Sequence, residues 1–310
     1  TPWNPSNTFG DDPNYKDGYS QQYHLEVQRQ LTPTMLVSAA YVGSKNGRLP
    51  YTGFANTARQ ASRNTCATTD AACNAAFNAS VNALRPMPWV NANINYTQSI
   101  GYSNYNALQV RFQRRFSNGL HSLVSYTYGK SIDVSSGYFN VENGLGGGST
   151  VQNYFDMSTA RGVSSYDITQ FLSWATVYEL PFGRGKKWLD SGPASLILGN
   201  WQANYIFQAR SGQPYNLQVA GDLANLRGTA PNPPGNYLRP NLIADPFVAG
   251  PVAANPDPNC QKTISQGGRA ADAVNTSASW FNPCAFGIPN NTGAFGNLGR
   301  NSFRGSHVVN

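Results

Sequence analysis

Apolar and polar residues alternate with a period of two in several short segments of the chain. The clearest example lies at residues 108–113, where Leu108, Val110 and Phe112 alternate with glutamine and arginine. Successive side chains of a β-strand point to opposite faces, so this pattern predicts a strand with one apolar and one polar face. The same alternation predicts further strands at residues 18–31, 35–42, 120–128, 172–180 and 200–209.

Short turns and long loops separate these predicted strands in a regular order. Pro33 lies in the first turn, and Asn118-Gly119, a strong hairpin signal, forms the second. Residues 181–199 connect the third pair. Long loops are predicted at 43–102 and 131–166. Within the first of them, residues 70–84 predict a short helix that Thr69 or Asp70 caps and Pro86 ends.

The layout predicts an all-β fold of antiparallel hairpins of the outer-membrane β-barrel type with long extracellular loops. Such barrels combine short periplasmic turns with longer extracellular loops. A soluble β-sandwich adhesin is the alternative, because half-buried strands show the same alternation. The predicted division is a barrel region at 1–212 and a Pro-, Gly- and Asn-rich loop region at 213–310, which is pinned by a disulfide and leads to a further strand.

The charge composition argues against a nucleic-acid partner. Only 12% of the residues are charged, and the formal net charge is +7 with a pI near 9.2. The basic residues are scattered rather than grouped into a patch, which nucleic-acid binding requires. A barrel interior or a rim that faces anionic lipid explains the same charge.

Four cysteines indicate an oxidising location. Their spacing contains no Cys-x-x-Cys pair and no neighbouring histidine, so a zinc site is not expected. Of the three connectivities that four cysteines allow, two local disulfides are the simplest. These pair Cys66 with Cys73 and Cys260 with Cys284. Disulfides imply the periplasm, the cell surface or the exterior.

Motifs of catalysis are weak, and the chain is not predicted to be an enzyme. Gly129-Lys130-Ser131 resembles the end of a P-loop, but the required earlier glycine is absent and strands flank the segment. No Gly-x-Ser-x-Gly sequence occurs. The glycine-rich run at 144–150 is interpreted as a loop tip.

Two groups of residues are candidates for binding, and each has a plainer explanation. Acidic and amide side chains near the start can bind Ca²⁺ as a structural ion or simply form turns; they are Asp11, Asp12, Asn14 and Asp17. Arginines near the second turn can contact an anionic ligand or lipid, or form a solvated rim; they are Arg111, Arg114 and Arg115.

Five segments resemble the barrel of TonB-dependent receptors, in particular the Oar-like group, which carries a carboxypeptidase-regulatory-like domain. They are residues 25–45, 104–133, 176–188, 200–217 and 280–305. The resemblance implies an outer-membrane barrel that imports a bulky ligand of unknown identity with energy from the inner membrane. The plug and the contact with TonB are expected to lie outside this chain, which starts without methionine and is interpreted as a mature product or an internal segment.

About six strands cannot close a barrel of receptor size, and open sheet edges tend to pair with another chain. Outer-membrane lipid and neighbouring copies of the chain are therefore the expected partners. The alternative function is a self-assembling extracellular β protein that forms a tube or a filament, because contacts that do not close generate such structures.

Overall fold

A single large antiparallel sheet dominates the computed structural model, which describes residues 8–58, 65–67, 69–90, 94–137, 151–219, 224, 238–289 and 294–310. Nine strands form this sheet. They are β1 (Thr8–Asp11), β2 (Tyr19–Thr32), β3 (Met35–Phe54), β4 (Ile94–Ser117), β5 (Leu120–Asp133), β6 (Gly162–Val163), β7 (Gln170–Glu179), β8 (Gln202–Arg210) and β13 (Val308–Val309).

The remaining short strands form two small sheets near the chain's C-terminal third. In one, β9 (Pro214–Tyr215) pairs with β12 (Phe303–Arg304). In the other, β10 (Asn241–Leu242) pairs with β11 (Phe286–Gly287). The described residues contain two α-helices, α1 (Ala71–Ala83) and α2 (Pro193–Leu198), and short 3₁₀ turns at Met157–Ala160, Pro258–Gln261, Ile264–Gln266 and Pro283–Ala285.

The large sheet is open along the described part of the chain. Its order is β2-β3-β4-β5-β7-β8-β13, with every neighbour antiparallel, while β1 pairs with β4 in parallel and β6 pairs with β5. The predicted all-β antiparallel fold is confirmed. Among the described residues, β2 ends the sheet on one side, and β8 with the short β13 ends it on the other.

Two tight connections define the turn end of the sheet, and the opposite end is called the loop end. Thr32 pairs with Met35 across the first connection. In the second, Asn118 and Gly119 adopt positive φ angles of 52° and 77°. Two consecutive left-handed residues make the turn that matches the twist of paired strands, and glycine enters this conformation without strain. The predicted hairpin is confirmed.

The prediction of a loop at 43–102 was wrong at both of its ends. β3 continues to Phe54 and β4 begins at Ile94, so the two strands extend into the predicted loop from both sides. Two register shifts interrupt the pairing near Leu49. The alternation fades here because both faces carry polar residues, whereas the backbone hydrogen bonds that define a strand do not depend on side-chain polarity.

Helix α1 confirms the predicted short helix within this loop. The Asp70 side chain accepts a hydrogen bond from the Cys73 backbone N–H at 2.9 Å, which caps the first turn. The disulfide between Cys66 and Cys73 ties the helix to the preceding segment. Val81 is buried on the inner side of the helix. No helix among the described residues is both long and apolar enough to cross a membrane.

The best-packed core lies at the loop end rather than within the sheet. One cluster joins the end of β3 to the segment that follows β5, with Tyr154 and Met157 packed against it. The Tyr154 hydroxyl donates to Gln98 Oε1 at 2.7 Å, and burial raises the pKa of Tyr154 to about 12. A second cluster surrounds the disulfide between Cys260 and Cys284, which has the predicted pairing.

A buried arginine fastens the C-terminal segment to the loop end of β5. The guanidinium of Arg300 forms an ion pair with Asp133, and both side chains are almost fully shielded from solvent. It also donates to the backbone oxygens of Ala160 at 2.8 Å and of Asp133 at 2.7 Å. A charge inside a protein is tolerated when it is paired and hydrogen-bonded, and Arg300 satisfies both conditions.

A second arginine repeats this arrangement four residues later. Arg304 pairs with the buried carboxylate of Asp167 and donates to the Gly212 backbone oxygen at 3.2 Å. Asp167 also accepts hydrogen bonds from the Ser131 backbone N–H and from the Thr169 hydroxyl. Residues 298–305, called the arginine strap here, therefore lie across the loop end and join three parts of the chain.

Removal of the Arg300 side-chain charge tests the strap. Loss of one partner from a buried pair costs about 3–5 kcal/mol, because the other charge stays buried without compensation. We expect Arg300→Met to lower the opening free energy of residues 298–305 by this amount in amide hydrogen exchange. Restoration by the double variant with Asp133→Asn would confirm the cause.

The matched control is Arg269→Met, because the Arg269 guanidinium pairs with Asp257 at 3.0 Å on the surface. Exposed pairs add little to stability, so we expect no measurable change there. Equal exchange rates at residues 298–305 in the Arg300 and Arg269 variants would contradict the conclusion that the buried ion pair holds the strap in place.

Candidate functional site

The register of the large sheet separates an apolar face from a polar face. Residues that pair across neighbouring strands point to the same side, so each register row lies on one face of the sheet. A row of seven apolar or aromatic residues crosses the whole sheet. It consists of Val27, Ala39, Val110, Tyr126, Leu172, Ala209 and Val309.

The adjacent row lies one residue nearer the turn end in each strand. It points to the opposite side of the sheet and is polar in each of β2, β3, β4, β5, β7 and β8. It consists of Gln28, Ser38, Arg111, Ser125, Ser173 and Gln208. No apolar side chain interrupts this row. The two rows therefore differ in chemical character, although the next row on the polar side is mixed and contains Leu36, Leu123 and Ile206.

The apolar face has a definite height. Toward the loop end it gives way to a row in which Asn106 pairs with Lys130, followed by a row in which Lys45 pairs with Asn104. Along β2, the side chains of this face run from Tyr23, which lies in the row of Asn106 at the border, to Leu31, and one of them, Arg29, is charged. At about 3.3 Å per residue and a tilt of about 40°, this stretch is roughly 20 Å high, near the band of about 25 Å in outer-membrane barrels.

No other part of the described chain covers the apolar face at β2. Leu25 and Val27 are 69% and 67% exposed. Aromatic side chains border the band at both ends. They are Tyr23, Tyr41 and Tyr128 toward the loop end, and Tyr178, Trp201 and Tyr205 toward the turn end. A large exposed apolar surface marks an interaction site, and rings with a polar tip suit the border between lipid and water.

The polar face contains a cleft of about 560 Å³ near the loop end. Aromatic rings, amides and one guanidinium surround it, so it can stack against planar groups, form hydrogen bonds and pair with an anion. Its lining residues are Tyr105, Gln109, Thr127, Ile168, Phe171, Gln208, Arg210, Val308 and Asn310. This cleft is the candidate ligand-binding site.

The three predicted arginines do not form one site. Arg111 lies in the polar row and donates to Gln113 Oε1 at 3.3 Å. Arg114 lies in a row of the apolar face at the turn end, where it pairs with Met35 and Ser122. The backbone N–H of Arg115 donates to Thr34. Contact with an anionic ligand or lipid therefore remains a prediction for Arg111, Arg114 and Arg115.

The acidic cluster near the start stays a prediction as well. The Asp12 carboxylate accepts a hydrogen bond from the Asn14 backbone N–H at 2.9 Å, which is a turn interaction. Within the described ranges, no group of three His, Cys, Asp or Glu side chains is close enough to hold a metal ion. The glycine-rich run at 144–150 lies outside the described residues.

Sequence reasoning missed the aromatic and cationic side chains of the cleft. Arg210 follows the last predicted strand by one residue, and it pairs with Phe171 on β7 and Val308 on β13. The alternation places Arg210 on the polar face, so its side was predictable. Its proximity to Tyr105 was not, because that depends on the order of strands in the sheet.

A family model described as "Outer membrane beta barrel domain" matches residues 1–310, so the chain belongs to this family. No match was found among curated proteins or among solved structures. Family membership supports the barrel fold class and an outer-membrane location. The large exposed apolar face fits that location.

The two faces predict different reactivity at neighbouring positions. Ser125 lies on the polar face and Val124 on the apolar face. We expect a membrane-impermeant maleimide to modify Ser125→Cys in outer membranes and to leave Val124→Cys unmodified, because the reactive thiolate needs water. All four native cysteines are in disulfides and do not compete. Equal modification at both positions would show that both faces are wet.

Proposed function

We propose that the chain is the wall of an outer-membrane receptor that takes up a bulky ligand in a TonB-dependent manner. In this arrangement the apolar face contacts lipid and the polar face lines the passage. The observation that carries the proposal is the polar row from Gln28 to Gln208, which runs directly behind an equally continuous apolar row. Outer-membrane barrels likewise combine a polar interior with an outward-facing apolar band.

The lengths of the strands support a wide structure that rises above the membrane. A tilted strand needs about 9–11 residues to cross a bilayer. β3 has 20 residues and β4 has 24, and their loop-end parts carry polar residues on both faces. These parts would stand outside the lipid, at the loop end where the arginine strap joins the chain segments.

The resemblance of five segments to TonB-dependent receptors supports energised uptake rather than passive diffusion or catalysis. The cleft beside Arg210 supplies aromatic, amide and cationic groups on the proposed inner side. A ligand that enters from the loop end would meet this cleft before it reaches the turn end. The cleft would therefore serve as an early binding site along the passage.

Photo-crosslinking in living cells tests this proposal. A crosslinking amino acid at Gln109 lies in the cleft, and the same amino acid at Val110 lies on the apolar face. We expect adducts with soluble or plug-derived peptides at position 109 and none at position 110. Collapse of the proton gradient should change the yield at position 109, because TonB-coupled uptake needs that energy. An unchanged yield would contradict energised uptake.

A second candidate function, self-assembly into an extracellular tube or filament, rests on the free side of β2. All 14 residues of this strand are exposed, and no described strand pairs with its outer edge. An exposed edge of this length can pair with a strand of a neighbouring copy of the chain.

Electron microscopy of purified native material in buffer without detergent distinguishes the two functions. Regular tubes or filaments are the expected result for self-assembly, since neighbouring copies would then pair with the open edges. Discrete particles that appear only after detergent extraction are the expected result for a receptor, since lipid or detergent must cover the apolar face.

A further inference from the structure

The connection between β7 and β8, residues 180–201, carries an unusual concentration of exposed apolar side chains. Leu196 and Ile197 on α2 are 73% and 72% exposed. Trp188, Leu198 and Trp201 are also more than half exposed. These residues lie at the turn end of the sheet, beyond the part that the strands cover. Such a patch in a protein indicates an interaction surface.

The helix lies on the same side of the sheet as the apolar face. Leu180 and Trp201 are joined by a backbone hydrogen bond at 2.8 Å and extend the register of that face toward the turn end. The indole N–H of Trp201 donates to the backbone oxygen of Ile197 at 2.9 Å. The end of α2 therefore contacts a ring that belongs to the apolar face, and the two apolar surfaces are continuous.

The connection is held in a fixed shape by a close backbone crossing. A Cβ atom at Gly183 would lie 2.7 Å from the Gly199 Cα atom, and one at Gly199 would lie 2.2 Å from the Ser195 backbone oxygen. Only glycine permits this approach. The Ser195 hydroxyl also donates to the Gly192 backbone oxygen at 2.7 Å. The exposed side chains are thus presented by an ordered element.

Cationic side chains accompany the apolar ones. Arg184 and Lys187 are exposed, and the Lys187 ammonium lies 5.5 Å from the centre of the Trp188 ring. Lys186 pairs with Glu179 at 2.5 Å, and Asp190 accepts a hydrogen bond from the Gly185 backbone N–H. Apolar residues beside exposed Lys and Arg are the pattern of elements that lie in the interface of an anionic membrane.

We propose that α2 and its flanking tryptophans form an interfacial anchor that inserts into the periplasmic leaflet of the outer membrane, with Arg184 and Lys187 on anionic phospholipid headgroups. The short turns of outer-membrane barrels face the periplasm, which assigns the leaflet. The anchor would fix the height of the turn end of the sheet in the bilayer. The inference rests on the lipid-facing assignment of the apolar face and not on ligand uptake.

Nitroxide labels on single cysteines test the anchor in the full chain, held in nanodiscs of phosphatidylethanolamine and phosphatidylglycerol. The test position is Ile197→Cys. The water-exposed control is Val248→Cys, which is 59% exposed in the loop region. The lipid control is Val110→Cys, in the middle of the apolar face. Collision rates with oxygen, which concentrates in lipid, and with a water-soluble nickel chelate are then compared.

We expect oxygen to collide more often than the nickel chelate at position 197, as at position 110, with the order reversed at position 248. A water-like result at 197 together with a lipid-like result at 110 would overturn the anchor and leave the orientation of the sheet intact. Low collision rates with both reagents at 197 would also overturn it, because the helix would then be covered by protein. A water-like result at position 110 would overturn the anchor as well, because the apolar face that the anchor continues would then not contact lipid.

Charge reversal tests the headgroup contact separately. We expect Arg184→Glu combined with Lys187→Glu to move the label at position 197 toward water in these anionic nanodiscs, which would show as a higher collision rate with the nickel chelate. In nanodiscs of phosphatidylcholine alone, the same change should have little effect. An equal shift in both lipids would contradict a contact with anionic headgroups.

Discussion

The pairing register of the large sheet is the constraint on which the rest of the structure depends. A slip of one residue in any strand would turn all its side chains to the other face. Val27 would then lie in the polar row and Gln28 in the apolar one. Because both rows are continuous across six strands or more, a slip in one strand would break both rows at once. The two faces thus specify the register, and the register specifies where every other group lies.

This constraint explains why the packed core lies outside the sheet. A single sheet with exposed faces has no interior of its own, so its side chains cannot supply a conventional core. Burial occurs instead at the loop end, around Tyr51 and Val134 and around the second disulfide. There the chain can also shield charges, and it does so with Arg300 and Asp133. The ion pairs of Arg300 and Arg304 fasten the C-terminal segment where the apolar face has already ended.

Local patterns in the sequence predicted the features that depend on neighbours along the chain. The alternation located every long strand of the described residues, Asn118-Gly119 located a turn, and Asp70 located the start of α1. The extension of β3 and β4 escaped prediction because polar residues occupy both faces there. The arginine strap escaped because Arg300 and Asp133 are 167 positions apart. The separation of Arg111 from Arg114 followed from alternation alone and could have been predicted.

The free edge of β2 constrains whatever lies beside it. Strands that end a sheet are usually protected by lysine, proline or a bulge. β2 contains neither lysine nor proline, and its register with β3 is regular from Tyr19 to Gln30. Its sequence therefore suits a strand with neighbours on both sides. Any neighbour must place an apolar residue beside Val27 and a polar one beside Gln28. Another strand of the same barrel meets this condition as naturally as a second copy does, and in either case the sheet continues with both its faces unchanged.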